Sequence, residues 1–132
     1  MRHKPCLTSA DVKKTLTACE AEAGKNNWAV AISIVDDGGY LLGFTRMDGA
    51  SPVTAEVSLG KARTSALTGR PSKAFEDRVK ERPAFVTFPA GILIQGGVPI
   101  MQQNECVGAV GVSGVQSHED EQIAMAGVSA LG

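Results

Sequence analysis

Apolar residues recur at intervals of three and four near the start of the chain, at Val12, Leu16, Cys19 and Ala23, and this spacing predicts a helix from about Ser9 to Ala23. Thr8 followed by Asp11 three positions on is a capping box, Leu7 and Val12 form a hydrophobic staple, and Gly24 supplies the stop. The period then shortens. From Trp28 to Val35 the residues Trp28, Val30, Ile32 and Ile34 alternate with Ala29, Ala31, Ser33 and Val35, so both faces are apolar or small and the strand is covered on both sides. Asp36-Asp37-Gly38-Gly39 turns the chain into Tyr40 to Arg46, which makes a β-hairpin.

Ser51-Pro52 opens a second helix, from about Pro52 to Thr68, with a stop near Gly69. Its small residues, among them Ala55, Ser58, Gly60, Ala62 and Ser65, suit close contact with a sheet, a helix or a flat ligand. Pro71-Ser72 starts a shorter helix to about Glu81, anchored by Ala74, Phe75 and Val79 and ended by Pro83. Residues Pro83 to Gly91 form a loop whose Phe85, Val86 and Phe88 suit the lid of a pocket or a subunit interface. Strand signals resume at Ile92 to Gln95, at Val98 to Met101 and, after the Gln103-Asn104 turn, at Cys106 to Ser113. Ser117 with Asp120 makes a capping box for a last helix to about Ala130, with Glu119, Asp120 and Glu121 in its first turn where the helix dipole favours negative charge. The order predicts a single α/β (α+β) domain, with a mostly antiparallel sheet of about five strands between helical layers.

Glycine changes this picture in one place. Gly108, Gly111 and Gly114 recur every third residue through a run that otherwise reads as a buried strand. The entropic cost of so much glycine implies a close backbone approach there. Together with Gly96 and Gly97 the run forms a smooth backbone wall for a flat ligand or a neighbouring subunit.

Composition narrows the function. With 132 residues, 43% hydrophobic and 20% charged, and a net charge of −1, the chain has room for one core, and nothing in the balance asks for nucleic acid. The longest apolar runs are too short for a bilayer, and Met1-Arg2-His3-Lys4-Pro5 lacks the apolar stretch of a signal peptide, which predicts a cytoplasmic protein with no membrane contact. Cys6, Cys19 and Cys106 fit no metal or disulfide spacing and are expected as three reduced, mostly buried thiols. Gly111-Val112-Ser113-Gly114 misses the nucleophile-elbow spacing, and His118, Glu119 and Asp120 are better explained by helix capping than by a catalytic triad. The glycine run also differs from a dinucleotide-binding fingerprint.

Four blocks in order carry a resemblance over nearly the whole chain, from Leu7 to Leu131. They are Val35-Asp36-Asp37-Gly38-Gly39 with Arg46-Met47-Asp48, then Lys61-Ala62-Arg63-Thr64-Ser65-Ala66, then Gln95-Gly96-Gly97-Val98-Pro99-Ile100, and last Val107 to Gly114 leading to Glu119-Asp120-Glu121. In these the chain resembles the GlcG/HbpS family of haem-degrading-domain proteins, which also forms the C-terminal domain of PduO-type proteins. The resemblance implies a profilin-like three-layer α/β/α domain that self-associates, with haem or a related tetrapyrrole as ligand and a corrinoid as a second choice.

Haem iron needs an axial donor, and the residues able to give one include His118 and His3, the cysteines, Met47, Met101, Met125 and Tyr40. His118 opens a helix whose positive end favours the neutral imidazole that a metal requires. Lys61, Arg63 and Arg46 are the candidate cations for propionates. Gly96, Gly97, Pro99 and Gly111 are the candidate wall. Three functions follow as expectations. One is a haem or tetrapyrrole binder that supports oxidative haem breakdown. Another is an accessory protein of cobalamin-dependent diol or glycerol (or glycolate) metabolism, binding a corrinoid, a small metabolite or a dehydratase-system enzyme. The third is a structural homo-oligomer with Phe85, Val86 and Phe88 in its interface.

Overall fold

Thr8 opens the first helix as its spacing requires: its hydroxyl accepts the Asp11 N–H at 3.2 Å, and the Asp11 carboxylate accepts the Thr8 N–H at 2.8 Å. In the computed structural model, which describes residues 1–132, this helix is α1 (Ser9–Lys25). Then come β1 (Ala31–Asp36), β2 (Leu41–Arg46), α2 (Val53–Thr68), α3 (Lys73–Glu81), a 3-10 turn (Pro83–Thr87), β3 (Gly97–Gln102), β4 (Glu105–Ser113) and α4 (Ser117–Ser129). No helix is long and apolar enough to cross a membrane.

The sheet has four strands in the order β2-β1-β4-β3, all antiparallel, with β1 and β4 at its centre. The expected fifth strand, Ile92 to Gln95, does not form, because its backbone groups are taken by helices. The Ile92 N–H donates to the Gly60 carbonyl at 3.0 Å, Thr64 Oγ1 donates to the Ile92 carbonyl at 2.9 Å, and Ser72 Oγ donates to the Ile94 carbonyl at 2.6 Å. A β-rich run whose hydrogen bonds are met this way has no need of a neighbouring strand.

The two faces of β1 and β4 are covered differently. On one face Ile32, Ile34, Val110 and Val112 join Val12, Cys19 and Ala23 of α1 and Ile123 and Ala124 of α4 in the main core. On the other face Val35 and Ala109 meet Ala62 and Ala66 of α2. A Cβ at Gly111 would run into the Ser58 carbonyl and the Ala62 N–H, and one at Gly97 into the Lys61 carbonyl. The close approach read from the glycine run is therefore real, and α2 makes it. The expected wall for a flat ligand or another subunit is already covered at Gly111 and Gly97 by this chain's own helix.

Two helix starts differ from expectation. The Ser51 side chain does not cap α2; its carbonyl accepts from Thr54 Oγ1 at 2.6 Å. The capping box of α4 is built by Gln116 and Glu119, with the Gln116 N–H donating to Glu119 Oε1 at 3.1 Å, so Ser117 and Asp120 are not its members. Of the cysteines only Cys19 is buried, where desolvation pushes its thiol up to about 12; Cys106 is half-buried and Cys6 exposed.

Candidate functional site

Freed from capping, Asp120 does something the local pattern does not announce. Its Oδ2 accepts from Lys61 Nζ at 3.1 Å, Lys61 also donates to the Val112 carbonyl at 3.0 Å, and Oδ1 accepts the Val115 N–H at 3.2 Å. Both residues are 2% exposed. Lys61 belongs to α2 and Asp120 to α4, so the pair joins helices from opposite faces of the sheet past the end of β4. Burial pushes the Asp120 carboxyl above the usual carboxylate range, with the Lys61 charge and two hydrogen bonds opposing it. Gly96 sits in the left-handed region at φ +136°, and a Cβ there would crowd both the Lys61 ammonium and the Val112 carbonyl. Only glycine suits this position, on backbone and on space alike.

The Gly96-Gly97 segment packs against Lys61, and α3, α4 and the residue that precedes α3 hold it by hydrogen bonds. Glu76 of α3 accepts the Gln95 N–H at 3.0 Å, Gln95 Nε2 donates to Glu121 of α4 at 3.2 Å, and the Ser72 hydroxyl accepts the Gly97 N–H at 2.8 Å. Ser65 Oγ lies buried beside Gly97 without a hydrogen-bond partner. His118 is exposed on the first turn of α4, three residues before Glu121, while Ile94 and Met125 are exposed apolar residues on the adjoining segment and helix.

Of the residues chosen from the sequence, Lys61, Gly96 and Gly97 meet here, and His118 stands exposed two positions before Asp120 on α4. The expectation that Lys61 offers its charge to a propionate is revised, because its ammonium is enclosed and already met by a carboxylate and a carbonyl. Arg46 lies at this end of the sheet, opposite Ala31, but on the outer strand β2. Arg63 points away: it donates to the Gly39 carbonyl at 3.0 Å in the β1–β2 turn, at the other end of the sheet. Pro99 is half-buried in β3 opposite Ala109, and Gly111 lies under α2.

His3 is exposed at the far end, beside a segment that Lys4 ties to Asp37 at 2.8 Å and to the Cys106 carbonyl at 3.0 Å. His3 and His118 of one chain therefore do not share a metal. No three His, Cys, Asp or Glu side chains are grouped to hold a bare ion. Asp120 was legible only as a charge in a first helical turn; nothing local distinguishes its role from that of Glu119.

The Pro83 to Gly91 loop forms its own cluster. The Phe85 and Phe88 rings stack at 4.8 Å, Phe75 of α3 stacks on Phe88 at 5.4 Å, and the Arg78 guanidinium lies 5.2 Å from the Phe85 ring centre. Phe88 is partly and Val86 largely exposed. The arm thus presents an apolar edge outward.

Comparison with known proteins places the chain. A family model described as "Haem degrading protein HbpS-like" matches residues 7–129. Protein GlcG of Escherichia coli K12 is 44% identical over 114 residues, which is 86% of this chain and 85% of that protein. A double mutant of HbpS from Streptomyces reticuli superposes with a TM-score of 0.93 at 29% identity, covering 100% of this chain and 91% of that one. The haem complex of PduOC has the same fold, with a TM-score of 0.87 at 23% identity over 96% of this chain and 95% of that one.

Proposed function

The chain belongs to the HbpS-like family, and from that membership we propose that it binds haem at the end of the sheet where α4 begins, with the His118 imidazole as iron donor. The observation that carries the reading is the family match over residues 7–129, and the geometry adds an exposed imidazole on the first turn of α4, with exposed apolar Met125 two turns further along the same helix. His118 stands exposed on the first turn of α4, where its ring is open to a ligand from solvent. One such donor suffices for haem, whereas a bare ion asks for several.

The buried Lys61–Asp120 pair acts beneath the ligand: it holds the start of α4, and hence His118, against the Gly96-Gly97 segment. Bound haem would supply the redox chemistry with peroxide or oxygen that the family description implies; the chain's share is to hold and orient the ring. Self-association belongs to the same reading, since Val86 and Phe88 on the neighbouring arm give apolar surface for a second copy.

A hemin titration followed in the Soret region tests this. Wild-type protein is expected to give a saturable, shifted band, His3→Ala to keep it, and His118→Ala to weaken binding at least about tenfold. Cobalamin and iron-free protoporphyrin serve as controls: a response to cobalamin alone favours a corrinoid role. An unchanged titration in His118→Ala removes His118 as the donor, and no band in wild type removes the haem reading altogether.

A further inference from the structure

The structure has one pocket, about 250 Å3 and partly open to solvent, and it lies away from His118, at the other end of α4. Its lining includes Leu131 just past α4, buried Ile100 of β3 and Val107 of β4, and Pro5 and Leu7 of the segment leading into α1. Cys6 adds a thiol to the wall. Two polar residues complete it, Gln102 and Asp11, and Asp11 is the only charge present. Asp11 Oδ2 is occupied by the Thr8 N–H, and that hydrogen bond holds its carboxyl below the usual range, so the wall carries a fixed negative charge at neutral pH. No cation lines the cavity. The leading segment is held over it by Lys4, paired with Asp37 and the Cys106 carbonyl, and by the Arg2–Glu105 ion pair.

Size and charge together define an occupant. The pocket is partly open to solvent, and its volume exceeds the roughly 150 Å3 that accepts a benzene ring, so it takes a ring or branched aliphatic body with its polar head toward the opening. It is too small for a tetrapyrrole. Leu7, Ile100, Val107 and Leu131 offer contact to an apolar body, and a lone carboxylate favours a cationic head over a neutral one and repels an anion. We propose that this cavity is a binding site for a small apolar amine, with the body against Leu7, Ile100, Val107 and Leu131 and the ammonium toward Asp11. The thirteen residues of α4 separate it from His118 by about 20 Å, so it is a second site and stands or falls independently of haem binding.

The experiment titrates the full chain with benzylamine, benzyl alcohol and benzoate, following methyl resonances by NMR and the alkylation rate of Cys6. Benzylamine is expected to shift the Leu7, Ile100, Val107 and Leu131 methyls saturably, to slow Cys6 alkylation, and to bind about threefold more tightly than benzyl alcohol, as a half-exposed charge pair allows. Benzoate is expected to leave both readouts unchanged. Asp11→Asn should equalise the amine and the alcohol without abolishing either, and Val107→Phe should remove both while leaving the hemin response intact. Benzoate binding as well as the amine, shifts confined to other methyls, or no saturable shift with any probe would each overturn the proposal.

Discussion

The two faces of the central strands solve the same burial problem by opposite means. Toward α1 and α4, β1 and β4 present Ile32, Ile34, Val110 and Val112, and the space is filled by branched side chains. Toward α2 they present Ala31, Ser33, Ala109 and Gly111, and the helix comes so close that a Cβ at Gly111 has no room. Ser33 and Ser58 hydrogen-bond across this narrow face at 2.7 Å, so a polar pair lies buried without penalty. The first face gains its stability from apolar area and tolerates small losses of volume. The second gains it from contact between backbones, where an added methyl has nowhere to go. Lys61 departs from the second face to reach Asp120 of the first, and is the buried ion pair that links the two layers.

The sharpest way to break this arrangement is to unbalance that link. Asp120→Leu leaves the Lys61 ammonium enclosed without its carboxylate and should cost about 4 kcal/mol in denaturant unfolding. Lys61→Met with Asp120→Leu should recover most of the loss, because an apolar pair avoids the desolvation of both charges. If the double variant is as unstable as the single one, the ion pair is not the reason for the loss.

Next in size is a direct contrast between the faces. Gly111→Ala adds one methyl against the α2 backbone and should cost about 3 kcal/mol, whereas Ile34→Val removes one methyl from the other face and should cost about 1 kcal/mol. Equal effects would mean that α2 can move away from β4 and that the two faces do not differ in how closely they are packed.

The smallest effect is on pH dependence, and the two aspartates have opposite signs. Asp11 is held low by the Thr8 N–H, so its contribution to folding is complete above the unfolded value of 3.8 and lost as pH falls through the lower folded value. Asp120 is held high by burial, so its contribution is complete below 3.8 and lost as pH rises through the higher folded value. Thermal melts from acid to neutral pH should therefore show Asp11→Asn flattening the loss on the acid side, and Asp120→Asn removing a downward slope just above 3.8. Superimposable profiles for wild type and Asp120→Asn would show that its carboxyl does not titrate high.

The helices and the hairpin were legible because their signals are local. Thr8 and Asp11 are three residues apart, and the stripe of α1 repeats within each turn, so neighbours along the chain carry the information. The Ile92 to Gln95 run misleads for the complementary reason. Its composition is that of a strand, but Gly60, Thr64 and Ser72, some twenty to thirty residues earlier, satisfy its backbone first. The site was legible in part. Lys61, Gly96, Gly97 and His118 stand out by type, while the partner of Lys61 lies 59 positions away among three consecutive acidic residues.

Sequence alone determined that this chain mixes helices with a mostly antiparallel sheet, that its helices and hairpin begin near where they do, and that the glycine run requires a close neighbour. Those conclusions depend on the periodicity of side chains and on the conformational cost of glycine, both of which act within a few residues. Tertiary structure alone decided that the neighbour is α2 rather than a ligand, that Asp120 rather than Glu119 is the buried acid, and that His3 and His118 lie at opposite ends. These outcomes rest on which distant groups reach a given donor, acceptor or empty Cβ position first, and that is a property of packing in space.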